Sequence, residues 1–406
     1  MPNSPVAEVD GFPSAPPPQV SSTVTLPPLQ PPLPVLTPPE DIALRAAALR
    51  ILRWAHRNSL LSPEAYFPGD EFDVEPVFAP PATASLVSTL RSKHVRQVGV
   101  NLGERRITVF LSKALPSVKL LSEFPKTSDG FNLRFQQGDA ESVNPTAIAA
   151  TTVNSSIHQV NGGSYYTCGS SISVGNIRAA GTLGCLLRDA GGQMFGLSNN
   201  HVSGGCGNVP AGMPIVAPGV VDVHPMGPLP FTIGLHARQL DMAIGDPTSV
   251  DTTLNQDAAV FKIANEALVS SMQRDAYDTP ALVGDLTPGM QVEKAGRTSG
   301  FTRGTVVTEL VGPVSVNYRI DEYGFSGAIY FEPMFLVVGI GDRFSESGDS
   351  GSLVTAMDSA GVRYAVGIVV AGLQDNRAPG GKVSLVMPLR PILNKLALSL
   401  VSNHNV

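Results

Sequence analysis

The 406-residue sequence predicts a mainly β protein of sandwich or barrel type, preceded by a small α/β unit. Three observations carry this. From about residue 176 onward, short Val-, Ile- and Thr-rich runs alternate with Gly, Asn, Asp and Pro, the pattern of strands joined by tight turns. Glycine is abundant (40 residues) and aromatics are few (16 Phe, 8 Tyr, 1 Trp), which disfavours a helical bundle. Proline is unevenly spread, with 13 of 35 in residues 1–39, so the β-forming remainder carries an ordinary share.

Taken in order, residues 1–39 hold Pro16-Pro17-Pro18, Pro27-Pro28, Pro31-Pro32 and Pro38-Pro39, and read as a disordered, extended leader, a spacer in preference to the aromatic-groove ligand that Pro28-Leu-Gln-Pro31 would offer. At Glu40 the pattern changes. Ile42, Ala46, Leu49, Leu52 and Ala55 recur at helical spacing with arginines elsewhere, so residues 40–57 are expected to form an amphipathic docking helix, followed by an irregular linker to residue 91. Two strands, Val95–Val100 and Ile107–Leu111, around Asn101-Leu-Gly-Glu104 make residues 92–145 a small α/β unit with a structural or regulatory role, a place for a regulatory partner or a second copy of the chain. Strands are expected at 181–187, 195–197, 258–263, 304–310, 334–338 and 364–370. The second half of the run from Pro388 to Val401 reads as a terminal helix.

Composition excludes several classes of function. A net charge of −6 and a pI near 5.7 argue against nucleic acid or an anionic membrane as partner. No apolar run approaches the ~20 residues of a bilayer span, and no basic region precedes an apolar one at the N-terminus, which points to a cytoplasmic protein. Cys168, Cys185 and Cys206 do not form a disulfide framework, and no metal or cofactor is called for.

Three local environments carry chemistry together. Leu197-Ser-Asn-Asn-His-Val202 places His201 at a polar turn after a β run. Asn255-Gln-Asp-Ala-Ala-Val-Phe-Lys-Ile263 places Asp257 at the start of an apolar strand, with Asp241 as its rival. Glu346-Ser-Gly-Asp-Ser-Gly-Ser-Leu-Val354 places Ser350 between glycines. A serine hydroxyl is a poor nucleophile without an adjacent base, and an imidazole needs an acceptor on its other nitrogen to fix its tautomer. The order His, Asp, Ser excludes the subtilisin arrangement, and Ser352 in place of a glycine breaks the nucleophile elbow of an α/β-hydrolase.

With these motifs the sequence resembles the trypsin-like (chymotrypsin-fold) serine peptidases. Gly181-Thr-Leu-Gly-Cys185, Glu293-Lys-Ala-Gly-Arg-Thr-Ser-Gly300 and Gly348-Asp-Ser-Gly351 are similar to a single-chain bacterial and plant branch that includes NARROW LEAF 1. The resemblance implies two six-stranded barrels, about residues 176–272 and 286–406 with the C-terminal helix, and a cleft between them. It implies peptide-bond hydrolysis through an acyl-enzyme, with His201 as base, Asp257 as its orienting acid, Ser350 as nucleophile and the amides of Gly348 and Ser350 as oxyanion hole. Asp349 would be a buried carboxylate that organises the oxyanion loop. The stretch Arg178-Ala-Ala-Gly-Thr182 has no Ile-Val-Gly-Gly-like start, so an active or ligand-gated state is expected without cleavage. Secreted relatives suggest a Cys185–Cys206 disulfide, against which free buried thiols are expected here. Phe344, Val370 and Gly372 would line a substrate pocket for a small or apolar residue. Two rival functions use the same residues: a peptide-binding scaffold with little turnover, and an esterase.

Overall fold

The computed structural model describes residues 38–66, 74–115, 117–140, 143, 156–225 and 227–406. The expected leader lies outside these residues, apart from Pro38 and Pro39. Those two prolines open helix α1 (Pro38–Arg57), at positions where a missing N–H costs nothing. The helix buries Leu44, Ala47, Ala48, Ile51, Leu52 and Ala55, whereas Ile42 is exposed. The buried stripe is thus rotated from the one expected, because the alanines at 47 and 48 let the helix lie close against a sheet.

That sheet belongs to the N-terminal unit. Helix α2 (Ala84–Lys93), capped by Thr83 through its bond to the Leu86 amide, falls in the stretch expected to be irregular. It leads into β1 (Val95–Asn101) and β2 (Arg106–Leu111), an antiparallel pair as expected, and β3 (Phe131–Gln137) adds parallel to β2. The unit is not separate from the rest of the chain, since its sheet continues into the C-terminal half through β1.

The first ring contains β4 (Ser171–Val174), β5 (Gly181–Thr182), β6 (Cys185–Arg188), β7 (Met194–Ser198), β8 (Pro214–Ala217), β9 (Phe231–Gln239) and β10 (Ala259–Ile263). Strands β4, β8, β9, β10, β7 and β6 pair in that order, and β5, two residues before β6, pairs back to β4. One bent run, residues 181–188, therefore closes the ring. It begins at β4, earlier than the expected boundary at 176.

The second ring contains β11 (Gln291–Gly296), β12 (Gly300–Val311), β15 (Met334–Gly339), β16 (Leu353–Met357), β17 (Arg363–Gln374) and β18 (Lys382–Pro388), with a hairpin of β13 (Val314–Ile320) and β14 (Phe325–Phe331) inserted after β12. Each ring strand pairs antiparallel with its neighbour, and β12 with β15 completes the circle. The fold is a mainly β double barrel of the chymotrypsin type. Strand β12 is long enough to serve twice, since Glu309–Val311 also pairs with β1. Arg45 of α1 reinforces that junction with a forked pair to Glu309, its Nη2 lying 2.8 Å from Oε2.

The C-terminus corrects one expectation. The helix occupies the first half of the run, as α4 (Leu389–Leu396), and ends where Ala397 turns left-handed (φ +53°). Ser399–Leu400 then pairs with β6. The apolar spacing of Leu396, Leu398, Leu400 and Val401 served a strand as well as a helix, and the first ring offered an edge.

Candidate active site

The first ring supplies an imidazole held by a carboxylate. Strand β7 ends at Ser198, and the single turn α3 (Asn200–Ser203) carries His201. The two asparagines before it fix the turn: Asn199 Nδ2 donates to Asp257 O (2.7 Å), and Asn200 Nδ2 donates to Leu240 O (3.0 Å). Asp257, fully buried just before β10, accepts from the His201 amide at Oδ1 (3.0 Å) and faces His201 Nδ1 with Oδ2 (2.5 Å). The rival Asp241 is exposed and takes no part. Nε2 of His201 has no hydrogen-bond partner among the described residues.

A tyrosine completes this wall. Tyr318 of β13, also fully buried, donates its hydroxyl to Asp257 Oδ2 at 3.0 Å, and its ring lies 5.5 Å from the imidazole. Burial first, and then the Asp257 charge, hold the phenol well above its ordinary pKa, so it stays a protonated donor. Sequence reading missed Tyr318, which lies 61 residues beyond Asp257 with no motif around it.

The second ring supplies the nucleophile loop. Gly348 (φ +97°) and Gly351 (φ +90°) both occupy backbone conformations that a side chain disfavours. A Cβ at 351 would also meet Thr182 O at 2.6 Å and strike Ser198 Oγ, so the loop lies directly on the strand that leads to His201. Thr182 stitches the two together, its amide donating to Ser350 O (2.9 Å) and its hydroxyl to Gly348 O (2.9 Å). The amides of Gly348 and Ser350 donate to no described residue. Ser350 Oγ donates to Val370 O at 3.3 Å and not to His201.

Beneath the loop, Asp349 is fully buried and saturated. Its Oδ1 accepts from the amides of Thr298 (2.7 Å) and Ser299 (3.1 Å), and its Oδ2 from the Glu346 amide (2.9 Å), Ser299 Oγ (2.6 Å) and Lys294 Nζ (3.0 Å). Burial pushes the Lys294 ammonium below the ordinary lysine value, and Asp349 opposes that shift. A second buried pair stands beside it, with Arg297 bound to Asp222 through Nε (2.8 Å) and Nη2 (2.5 Å). The segment Glu293–Gly300, recognised in the sequence only as a motif, is thus the cradle of Asp349.

The expected pocket is revised. Phe344 is buried inside the second ring among Val292, Val306, Val337 and Val354, so its ring belongs to the barrel core and not to an open pocket floor. Val370 is likewise buried, and its carbonyl accepts from Ser350 Oγ. Gly372 lies opposite Ser384, whose hydroxyl meets Ser345 Oγ at 2.5 Å. Glu346 is compensated by Arg343 and by Lys382 (3.5 Å). The three cysteines are free and buried; burial holds Cys168 up to about 12 and pushes Cys185 and Cys206 well above the ordinary thiol value, which disfavours the thiolate at each.

No family profile and no curated protein matches the chain. Among solved structures it is similar to Thermobifida fusca protease A (17% identity, 58% of this chain and 98% of that one, TM-score 0.38). It is also similar to a Nocardiopsis protease (19%, 57% and 95%, TM-score 0.36) and to Cellulomonas bogoriensis chymotrypsin (18%, 58% and 98%, TM-score 0.37). Likeness at this level gives no residue-by-residue correspondence. Among the described residues, no helix is long and apolar enough to cross a membrane, and no group of three or more His, Cys, Asp or Glu is placed to hold a metal.

Proposed function

We propose that the chain is a serine endopeptidase working through an acyl-enzyme. The observation that carries this reading is the His201–Asp257 pair (2.5 Å), its Nε2 unengaged, set against a glycine-flanked serine whose loop packs on the same strand. In this cycle the Ser350 hydroxyl exchanges its bond to Val370 O for one to His201 Nε2, a rearrangement that substrate would drive. Ser350 Oγ then attacks the carbonyl carbon while Nε2 takes its proton. Asp257 holds Nδ1–H and stabilises the imidazolium, and the amides of Gly348 and Ser350 receive the oxyanion. Nε2 next delivers the proton to the leaving amine, and water repeats the sequence to release the acid.

Asp349 acts by geometry. A buried carboxylate bonded to the amides of Thr298, Ser299 and Glu346 fixes the turn that carries the Gly348 and Ser350 amides. Lys294 supplies the balancing charge from within the chain, in keeping with the expectation of activity without cleavage. The bacterial and plant branch rests on the sequence motifs alone.

One observation favours the rival, a peptide-binding cleft with little turnover: Ser350 is bonded to Val370 O and not to the base. Fluorophosphonate labelling separates the readings. Labelling of the wild type but not of Ser350→Ala, followed by cleavage-site mapping of a proteome with both proteins, is the expected result. Absence of labelling across pH 5 to 10 would leave the scaffold reading.

A further inference from the structure

The hairpin β13–β14 belongs to the second ring by sequence and to the first by its contacts. At its tip, Glu322 Oε1 accepts from the Arg178 amide (3.2 Å), and Asn176 Nδ2 donates to the Tyr323 hydroxyl (3.1 Å). Along its strands it meets the segment that carries Asp257 twice. Tyr318 of β13 donates to Asp257 Oδ2 (3.0 Å), and Tyr330 O of β14 accepts from Nδ2 of Asn255 (2.9 Å), just ahead of Asp257 in the chain.

The base of the same hairpin is gripped by the N-terminal unit. Ser315 and Tyr330 face each other across its two strands. Arg96 of β1, itself buried, donates from Nη2 to Ser315 Oγ (2.6 Å) and Ser315 O (3.3 Å), and from Nη1 to Glu64 Oε2 (3.2 Å). The Tyr330 hydroxyl donates to Glu64 O (3.3 Å), and its ring meets that of Tyr66 edge-on at 6.4 Å. Further along β13, Val143 N donates to Asn317 O (2.7 Å) and Val143 O accepts from Arg319 N (3.0 Å), which fixes the backbone on both sides of Tyr318. A planar guanidinium bonded to two atoms of one residue sets orientation as well as distance.

Tyr318 and the imidazole share one oxygen. Asp257 Oδ2 faces both His201 Nδ1 (2.5 Å) and the phenol, so the firmness with which the phenol is held decides how much of that oxygen's charge remains for an imidazolium. The Cys206 thiol also faces Asp257, and burial holds thiol and phenol protonated beside the imidazole. Resting on the peptidase reading, we propose that Arg96 is a positioning residue for the reaction: by fixing the Ser315 end of β13 it holds Tyr318 on Asp257 Oδ2, and so ties the N-terminal unit to the alignment of acid and base.

The test is a proton titration of the His201 imidazole by NMR in the full chain, its signal assigned with His201→Gln, beside the acid limb of kcat/KM on a peptide substrate. Tyr318→Phe and Arg96→Met should each raise the proton affinity of His201 about threefold or more, part of the worth of one hydrogen bond, with KM changed less than about twofold. With both substitutions the rise should stay within about 1.5-fold of that in Tyr318→Phe alone, because Arg96 acts through the phenol. Loss of the Arg96 charge acting through space, or a general loosening of the fold, would instead multiply with the Tyr318 effect. Multiplying effects, or an unchanged affinity in either single variant, overturn the proposal. Ser315→Ala removes an acceptor without changing charge and should move the affinity the same way by about 1.5-fold or more. It decides if Arg96→Met does not fold, and an unmoved affinity there overturns the proposal too. The titration needs no turnover. Coupling of Arg96 to Tyr318 without fluorophosphonate labelling of Ser350 removes the peptidase reading, whereas labelling without coupling removes the role of Arg96 alone.

Discussion

Two fully buried carboxylates support the candidate site, Asp257 in the first ring and Asp349 beneath the Ser350 loop, and they are satisfied in opposite ways. Asp349 has five donors, one of them the Lys294 ammonium, and no imidazole among them. Asp257 has an amide, a phenol and an imidazole that changes charge during the proposed cycle. The first arrangement suits a residue that must keep a turn rigid. The second suits one whose partner has to accept and return a proton, because a carboxylate already saturated by a cation would stabilise an imidazolium poorly.

Substitutions at each wall should separate these roles. The largest effect is expected from Asp257→Asn, which keeps shape but removes the charge and reverses the Nδ1 tautomer. Turnover should fall about 10⁴-fold with folding intact, read as kcat on a peptide substrate beside a melting curve. A fall of tenfold or less would mean Asp257 is structural, like Asp349. Next comes Lys294→Met, which strands a buried charge. It should destabilise the fold by about 3–5 kcal/mol in denaturant titration and abolish labelling of Ser350. If stability held, the Lys294–Asp349 pair would not be the support of the loop.

Tyr318→Phe sharpens the comparison more finely. Loss of one donor to a buried carboxylate should cost about 1.5–3 kcal/mol in stability. It should also raise the pH at which activity falls on the acid side, since Asp257 relieved of a competing donor holds the imidazolium more tightly. A pH profile of kcat/KM decides, and an unmoved acid limb would make Tyr318 a packing residue. The smallest effect concerns Lys294 itself. Its pKa lies below the ordinary lysine value, so rising pH removes the cation, and with it loop order, earlier than a surface lysine would allow. Activity should fall reversibly on the alkaline side, and in Lys294→Arg that fall should move to higher pH.

The contrast also explains what was legible in the sequence. The local settings of His201, Asp257 and Ser350 were legible because each lies near a strand end with turn residues beside it, and of their expected contacts the His201–Asp257 pair is present. Phe344 was misplaced because sequence spacing from Ser350 says nothing about which way a ring points, and a barrel interior competes for every large apolar side chain. Lys294, Thr182 and Tyr318 carried no local signal at all: a lysine inside the β-prone run Gln291–Gly296, a threonine and a tyrosine acquire their partners only when distant strands meet. The helix at 389–396 and the strand after it were confused because one apolar spacing satisfies both until a left-handed Ala397 divides them. Residues 92–145 read as a small unit ahead of the barrels, with no sign of the sheet they share with β12, because the pairing partner of β1 is more than two hundred positions away.

Such a separation matters during synthesis. Arg45 and Glu309 are separated by 264 residues, and β1 emerges from the ribosome long before the β12 segment that completes its edge. Through most of translation the N-terminal half therefore carries an apolar ladder with one side unanswered, a surface open to wrong partners. The nascent chain has strong reason to need chaperoning between those two points, and a copy stalled before residue 300 is the species most prone to aggregate.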